Sequence, residues 1–148
     1  MANIQMQELE NILDEKGMRS ALEFLNQRVS HRFTAVYHLD KDALEIVELI
    51  DKLDDATTAP PSRVSFSQSF CEIAAQEGSL VTSDSAHDKK LDSRPNQGVL
   101  SSYVGLPLML PGGVLFGTLC HYGYDEQMIS DDEFVFLQNA AGVLPKYL

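Results

Sequence analysis

Residues 99–122 read Val-Leu-Ser-Ser-Tyr-Val-Gly-Leu-Pro-Leu-Met-Leu-Pro-Gly-Gly-Val-Leu-Phe-Gly-Thr-Leu-Cys-His-Tyr, and from Pro95 to Tyr124 there is no Asp, Glu, Lys or Arg. A membrane-spanning helix needs about 20 consecutive apolar residues. Asn96, Gln97, Ser101 and Ser102, followed by Pro107, Pro111, Gly112 and Gly113, interrupt any such run. The stretch instead predicts two strands, Val99–Leu110 and Val114–Tyr122, turning at Pro111-Gly112-Gly113. Charge is missing because both strands lie inside a sheet covered on both faces.

Upstream of this hairpin, Leu9, Ile12 and Leu13 share one helical face, and after Gly17 the residues Met18, Leu22, Leu25 and Val29 recur at helical spacing. From Phe33 the period becomes two: Phe33, Ala35, Tyr37 and Leu39 alternate with Arg32, Thr34, Val36 and His38. Asp40-Lys41-Asp42 turns this strand into a second one through Leu44, Ile46 and Ile50, a hairpin. Residues Asp54 to Arg63, with Pro60-Pro61, read as a loop within the domain. Phe66, Phe70, Ile73 and Ala74 then form one face of a short helix, which Ser65 or Ser69 caps and Gly78 ends. Leu80-Val81-Thr82 is a brief strand, and Asp84 is expected to cap a single helical segment through Leu91. Beyond the central hairpin, Ser130 and Glu133 make a capping box for a closing helix whose stripe is Phe134, Leu137, Ala141, Leu144 and Leu148.

The 148 residues are therefore expected to fold as one α+β domain around a central antiparallel sheet. The terminal helices pack on one face and the middle segment covers the other. Residues 1–17 form an N-terminal helical extension. Eleven basic against twenty-two acidic residues leave a net charge of −11, which repels phosphate backbones and anionic headgroups, so nucleic acid and membrane surfaces are not expected as partners. Two cysteines, Cys71 and Cys120, without a signal peptide in the chain as read, fit the cytoplasm better than a disulfide scaffold.

The run Ser102-Tyr103-Val104-Gly105-Leu106-Pro107-Leu108, its Pro-Gly-Gly turn and Phe116-Gly117-Thr118-Leu119-Cys120 resemble the central hairpin of GAF domains. Ser69-Phe70-Cys71, Val81-Thr82-Ser83-Asp84, Asp88 and Leu91 are similar to the helix, strand and short helix that precede that hairpin. The helix from Ser130 resembles the family's closing helix. The likeness runs from roughly residue 18 to the end. It implies a sheet of about six antiparallel strands with helices behind it, a ligand cavity in front, and a role in sensing small molecules. With no output module in these 148 residues, a signal is expected to leave through an interface with a signalling partner.

Pro111-Gly112-Gly113 lacks the spacing and the lysine of a phosphate loop, and no metal-ligand motif occurs. Asp84, His87, Asp88 and Asp92 recur at near-helical spacing; they suit either a cationic or hydroxyl-bearing ligand at a cavity mouth or a capped, solvated turn offset by Lys89 and Lys90. Cys120-His121 is similar to the bilin-attaching pair of phytochromes but stands at a strand end, where attachment is not expected. The Asn-Lys-Phe-Asp pattern of cyclic-nucleotide-binding GAF domains has no counterpart.

Tyr37 and Tyr103 lie on strands that flank the expected cavity, and each offers a ring and a hydroxyl. Alternation puts Thr118 and Cys120 on one face and Leu119 and His121 on the other, with the choice of face open. The candidate ligand-binding residues are therefore Tyr37, Phe66, Cys71, Asp84, Asp88, Leu91, Tyr103, Thr118 and Cys120, with no catalytic residue, no metal and an unknown cofactor. The expected function is a non-catalytic small-molecule sensor module.

Two alternatives stand beside it. One is a thiol enzyme of the free methionine sulfoxide reductase type, in which Cys71 is activated by the helix start if Ser69 is the cap and loses that benefit if Ser65 is. The loop cysteines and acidic strand end of that group are replaced here, the latter by Leu119-Cys120-His121. The other is a structural module that homodimerises through the terminal helices, where Met18, Leu22 and the Phe134 stripe exceed what one sheet face covers.

Overall fold

The structure, a computed structural model, describes residues 2–148, with side chains from Ile4 onward. The elements run α1 (Ala2–Glu15), α2 (Met18–Gln27), β1 (Phe33–Asp40), β2 (Ala43–Asp51), β3 (Arg63–Ser65), α3 (Phe70–Glu77), β4 (Leu80–Thr82), β5 (Ser102–Leu110), β6 (Val114–Gly123) and α4 (Asp131–Val143). Short 3-10 turns occupy Ser85–His87, Lys89–Leu91 and Leu144–Tyr147. The strand order is β3-β2-β1-β6-β5-β4, with antiparallel neighbours throughout. The charge-free hairpin thus lies toward the middle of the sheet, Tyr103 opposite Tyr122 and Gly105 opposite Cys120. Gly112 and Gly113 turn it with φ of 86° and 79°, conformations that side chains with a Cβ resist. Its first strand starts at Ser102 rather than Val99, because Val99 and Leu100 both donate back to the Asn96 carbonyl and hold that stretch in a turn.

Local chemistry sets the other boundaries. Ser69 is the cap of α3, its Oγ accepting from the Glu72 N–H at 3.2 Å. Ser65 therefore belongs to β3, and Phe66 stands before the helix rather than on it. The expected single helical segment after Asp84 is two 3-10 turns, because Asp88 between them has extended dihedrals. Asp84 makes no capping bond and pairs with His87 Nδ1 at 2.7 Å, while Asp88 caps the second turn through the Lys90 N–H. Ser130 caps α4, but the capping box closes on one side only: the Glu133 carboxylate turns to Arg28 Nε at 2.9 Å, joining α4 to α2. The Arg28 guanidinium also lies 3.8 Å above the Phe136 ring. Pro145 ends the regular helix, since its ring crowds the carbonyl four residues earlier.

Two cores follow from strand alternation. On one face α1, α2 and α4 bury Leu9, Leu13, Leu22, Leu25, Leu137 and Leu144 against Val36, Val104, Leu106 and Leu119. α1 is thus tied to the domain through Leu9 and Leu13. Leu22 is fully buried, and Met18 and Phe134 are half-buried against this same core, so the stripes that suggested a dimer face inward within one chain. On the other face α3 and the middle segment cover Phe33, Ala35, Tyr37, Tyr103, Cys120 and Tyr122. Among the described residues no helix is long and apolar enough to cross a membrane.

Candidate functional site

The second face is incompletely filled. A cavity of about 250 Å³ opens between the sheet, α3 and the loops before β3 and β5. Its wall carries Tyr37, Tyr103, Tyr122, Phe70, Leu44 and Cys71, and its mouth is framed by Pro60, Pro61, Val99 and Tyr124. No Asp, Glu, Lys or Arg lines it. A larger, open groove of about 470 Å³ beside α2 carries Arg19, Glu23, Asp51, Asp54 and Asp55, with buried Asn26 at its base.

Three tyrosines organise the cavity. The Tyr37 and Tyr122 hydroxyls are 2.6 Å apart, and the Tyr103 hydroxyl is 3.1 Å from the Cys71 sulfur. Tyr103 folds back over Gly105, occupying the space where a Cβ at 105 would stand. Only glycine there lets the ring reach across to α3. Burial pushes all three phenols up, so at neutral pH each keeps its proton and can donate.

Beneath the wall, Thr118 Oγ1 donates to the Cys71 sulfur at 3.2 Å. Cys120, next on the same face of β6, sits between Ala35 of β1 and Gly105 of β5. Both cysteines are free. The neighbouring Cys120 thiol, with the Thr118 and Tyr103 hydroxyls, draws the Cys71 thiol down against the upward pull of burial, while Cys120 itself donates to the Ala35 carbonyl at 3.8 Å. Burial and the neighbouring sulfur push Cys120 up.

The loops at the mouth are pinned. Arg32 grips Asp51 through Nε and Nη2 (2.7 and 2.9 Å), and Nη2 also reaches Thr58 Oγ1 at 2.7 Å. Tyr124 donates to the Thr58 carbonyl. Arg94 holds the other loop against α3 through the Ser69 carbonyl and Glu72.

Of the sequence candidates, Tyr37, Cys71 and Tyr103 line the cavity, and Thr118 and Cys120 lie directly under it. The alternation left open is settled in their favour: Leu119 and His121 face the helices. Leu91 is buried in the same core without reaching the cavity, and half-buried Phe66 packs at its edge. Asp84 and Asp88 stand apart, because the 3-10 turns spend their carboxylates on His87 and on a backbone cap. Tyr122 and Phe70 were missed. Extending the alternation Thr118, Cys120 by two residues reaches Tyr122, while Phe70 was read only as core.

Solved structures decide the architecture. The GAF domain of an Acinetobacter phosphoenolpyruvate-protein phosphotransferase matches with TM-score 0.74 at 14% identity, covering 99% of this chain and 94% of that one. The protein has the GAF fold. The GAF domain of the Coxiella burnetii phosphoenolpyruvate-protein phosphotransferase is similar, with TM-score 0.73, 14% identity and coverage of 99% and 93%. So is the free methionine-R-sulfoxide reductase of Neisseria meningitidis, solved with its substrate, with TM-score 0.74, 15% identity and coverage of 95% and 84%. The fold is thus shared by GAF domains and by an enzyme, and identities this low speak for the fold alone. No family model and no curated protein matches the chain by sequence.

Proposed function

We propose that this GAF-fold chain is a non-catalytic module that binds a small, neutral, aromatic or heteroaromatic molecule and passes its occupancy to a protein partner. The observation that carries this reading is the cavity lining: three wall tyrosines with protonated hydroxyls, a fourth tyrosine at the mouth and no charged side chain. Rings stack on the ligand and the phenols orient its polar atoms, whereas a charged ligand would be desolvated without a counter-ion. The same lining argues against a free amino acid such as methionine sulfoxide, whose ammonium and carboxylate both need partners. Two unpaired thiols in one domain suit a reducing compartment such as the cytoplasm.

Ligand-observed NMR with neutral phenols, indoles and unphosphorylated nucleobases, each against a charged analogue, tests the proposal. Binding confined to neutral rings and abolished by Val99→Trp, which plugs the mouth from an exposed position, is the expected result. Equal binding of charged amino acids, or binding that the plug leaves untouched, would reject it.

A further inference from the structure

The two cysteines of the chain share one buried cluster under the cavity, although one is on α3 and the other on β6, and Thr118, two residues before Cys120 on the same strand, touches the Cys71 sulfur. The cluster is built on small residues. Cys120 has Ala35 on one side and Gly105 on the other, which clears the sheet surface so that α3 can settle over it. Cys71 occupies the second position of α3, directly after the Ser69 cap and Phe70, and it lines the cavity that opens to solvent. The hydroxyls of Thr118 and Tyr103 approach its sulfur at 3.2 and 3.1 Å.

We propose that Cys71 and Cys120 are a hydroperoxide-oxidised thiol pair, closing to an intrachain disulfide that reshapes the cavity floor. The apolar lining favours a small organic hydroperoxide, ROOH, as oxidant. The Cys71 thiolate attacks the terminal peroxide oxygen; an S–O bond forms, the O–O bond breaks, and the departing alkoxide takes a proton to leave as ROH. Cys120 then attacks the sulfenic sulfur, giving up its proton as it does so. The S–S bond forms, the S–O bond breaks, and the hydroxide leaves as water with the Cys120 proton. Two thiols have lost two electrons and two protons to one ROOH. The hydrogen bonds that favour the Cys71 anion, and the burial that keeps Cys120 protonated, assign the first sulfur as attacking and the second as resolving. A disulfide turns the sulfur on which the Tyr103 and Thr118 hydroxyls converge toward Cys120 and weakens it as an acceptor, so oxidation alters the wall that a ligand meets.

The test needs no ligand, so it can succeed or fail independently of the ring-binding proposal. The reduced full-length protein is treated with tert-butyl hydroperoxide, unfolded in N-ethylmaleimide and digested. The expected result is a peptide cross-linked between Cys71 and Cys120, lost after thiol reductant, and two alkylated cysteines in the untreated control. With Cys120→Ser, Cys71 is expected to be trapped by dimedone as the sulfenic acid. Tyr103→Phe is expected to slow cross-linking several-fold while its circular dichroism stays that of the parent. Two alkylatable cysteines after treatment, a cross-link only between chains, or faster oxidation by free methionine sulfoxide than by hydroperoxide would each overturn the inference. Should Cys120→Ser fail to fold, the peptide map of the unmodified protein decides alone.

Discussion

The two faces of one sheet are built by different rules. The helix face receives three amphipathic helices whose side chains interlock, and its core is continuous from Leu9 to Leu144. The opposite face receives an eight-residue helix, 3-10 turns and loops, which cannot present a continuous apolar stripe; rings, thiols and a cavity fill the remainder. The well-packed face contributes most of the stability, and the under-packed face is free to hold a ligand. The contrast has one inversion. The helix face also buries a polar network, in which Lys52 Nζ donates to Asn26 Oδ1 (2.8 Å) and Asn26 Nδ2 to Thr34 Oγ1 (2.8 Å). The Thr34 hydroxyl meets His121 Nδ1 at 2.6 Å, and the His31 ring stacks on His121.

The largest effect should come from breaking the packed face. Leu137→Ala, at a fully buried position of α4, is expected to cost about 2–5 kcal/mol. Leu100→Ala, on the half-buried cavity rim, should cost about 1 kcal/mol or less. Urea unfolding of the pair checks this, and equal losses would erase the distinction between the faces.

Acid sharpens the same contrast. Burial lowers His31 to about 4 and His121 to about 3, with Lys52 pushing both the same way. The unfolded chain takes up these protons near the ordinary histidine value, so stability is full above it and falls as pH drops toward the folded values. The loss is about 2 kcal/mol per histidine by pH 5. Chemical denaturation at pH 8 and pH 5 measures it, and His31→Phe should flatten the slope.

On the cavity face, Gly105→Ala drives a methyl into the Tyr103 ring. A destabilisation of about 1–3 kcal/mol should accompany weaker ring-ligand binding, read by unfolding and NMR titration. The smallest effect belongs to Asp88→Asn. Its carboxylate caps an exposed turn away from the cavity, so stability should move by about 0.5 kcal/mol or less and binding should not change.

Much of the architecture was legible because it repeats at short range. The charge-free run with its Pro-Gly-Gly break marked the central hairpin, and period-two and period-four patterns marked β1, α2 and α4. Ser69 against Ser65 could not be separated, since both fit a cap. The choice falls to Ser69 because residues 63–65 pair with β2, a contact with a distant strand. The site was legible by halves. Tyr37, Cys71 and Tyr103 stood out as chemistry-bearing groups near the expected cavity, whereas Asp84 and Asp88 were drawn in by spacing on a helix that is two 3-10 turns.

By itself the sequence determined the hairpins, the helical faces and an uncharged middle, because these depend on neighbours one to four residues away. Only the tertiary structure decided that Thr118, Cys120 and Tyr122 lie on the cavity side of the sheet, that two cysteines on different elements share one buried cluster, and that His31 stacks on His121. Those facts depend on which sheet face each layer covers and on strand register, quantities that no local pattern encodes.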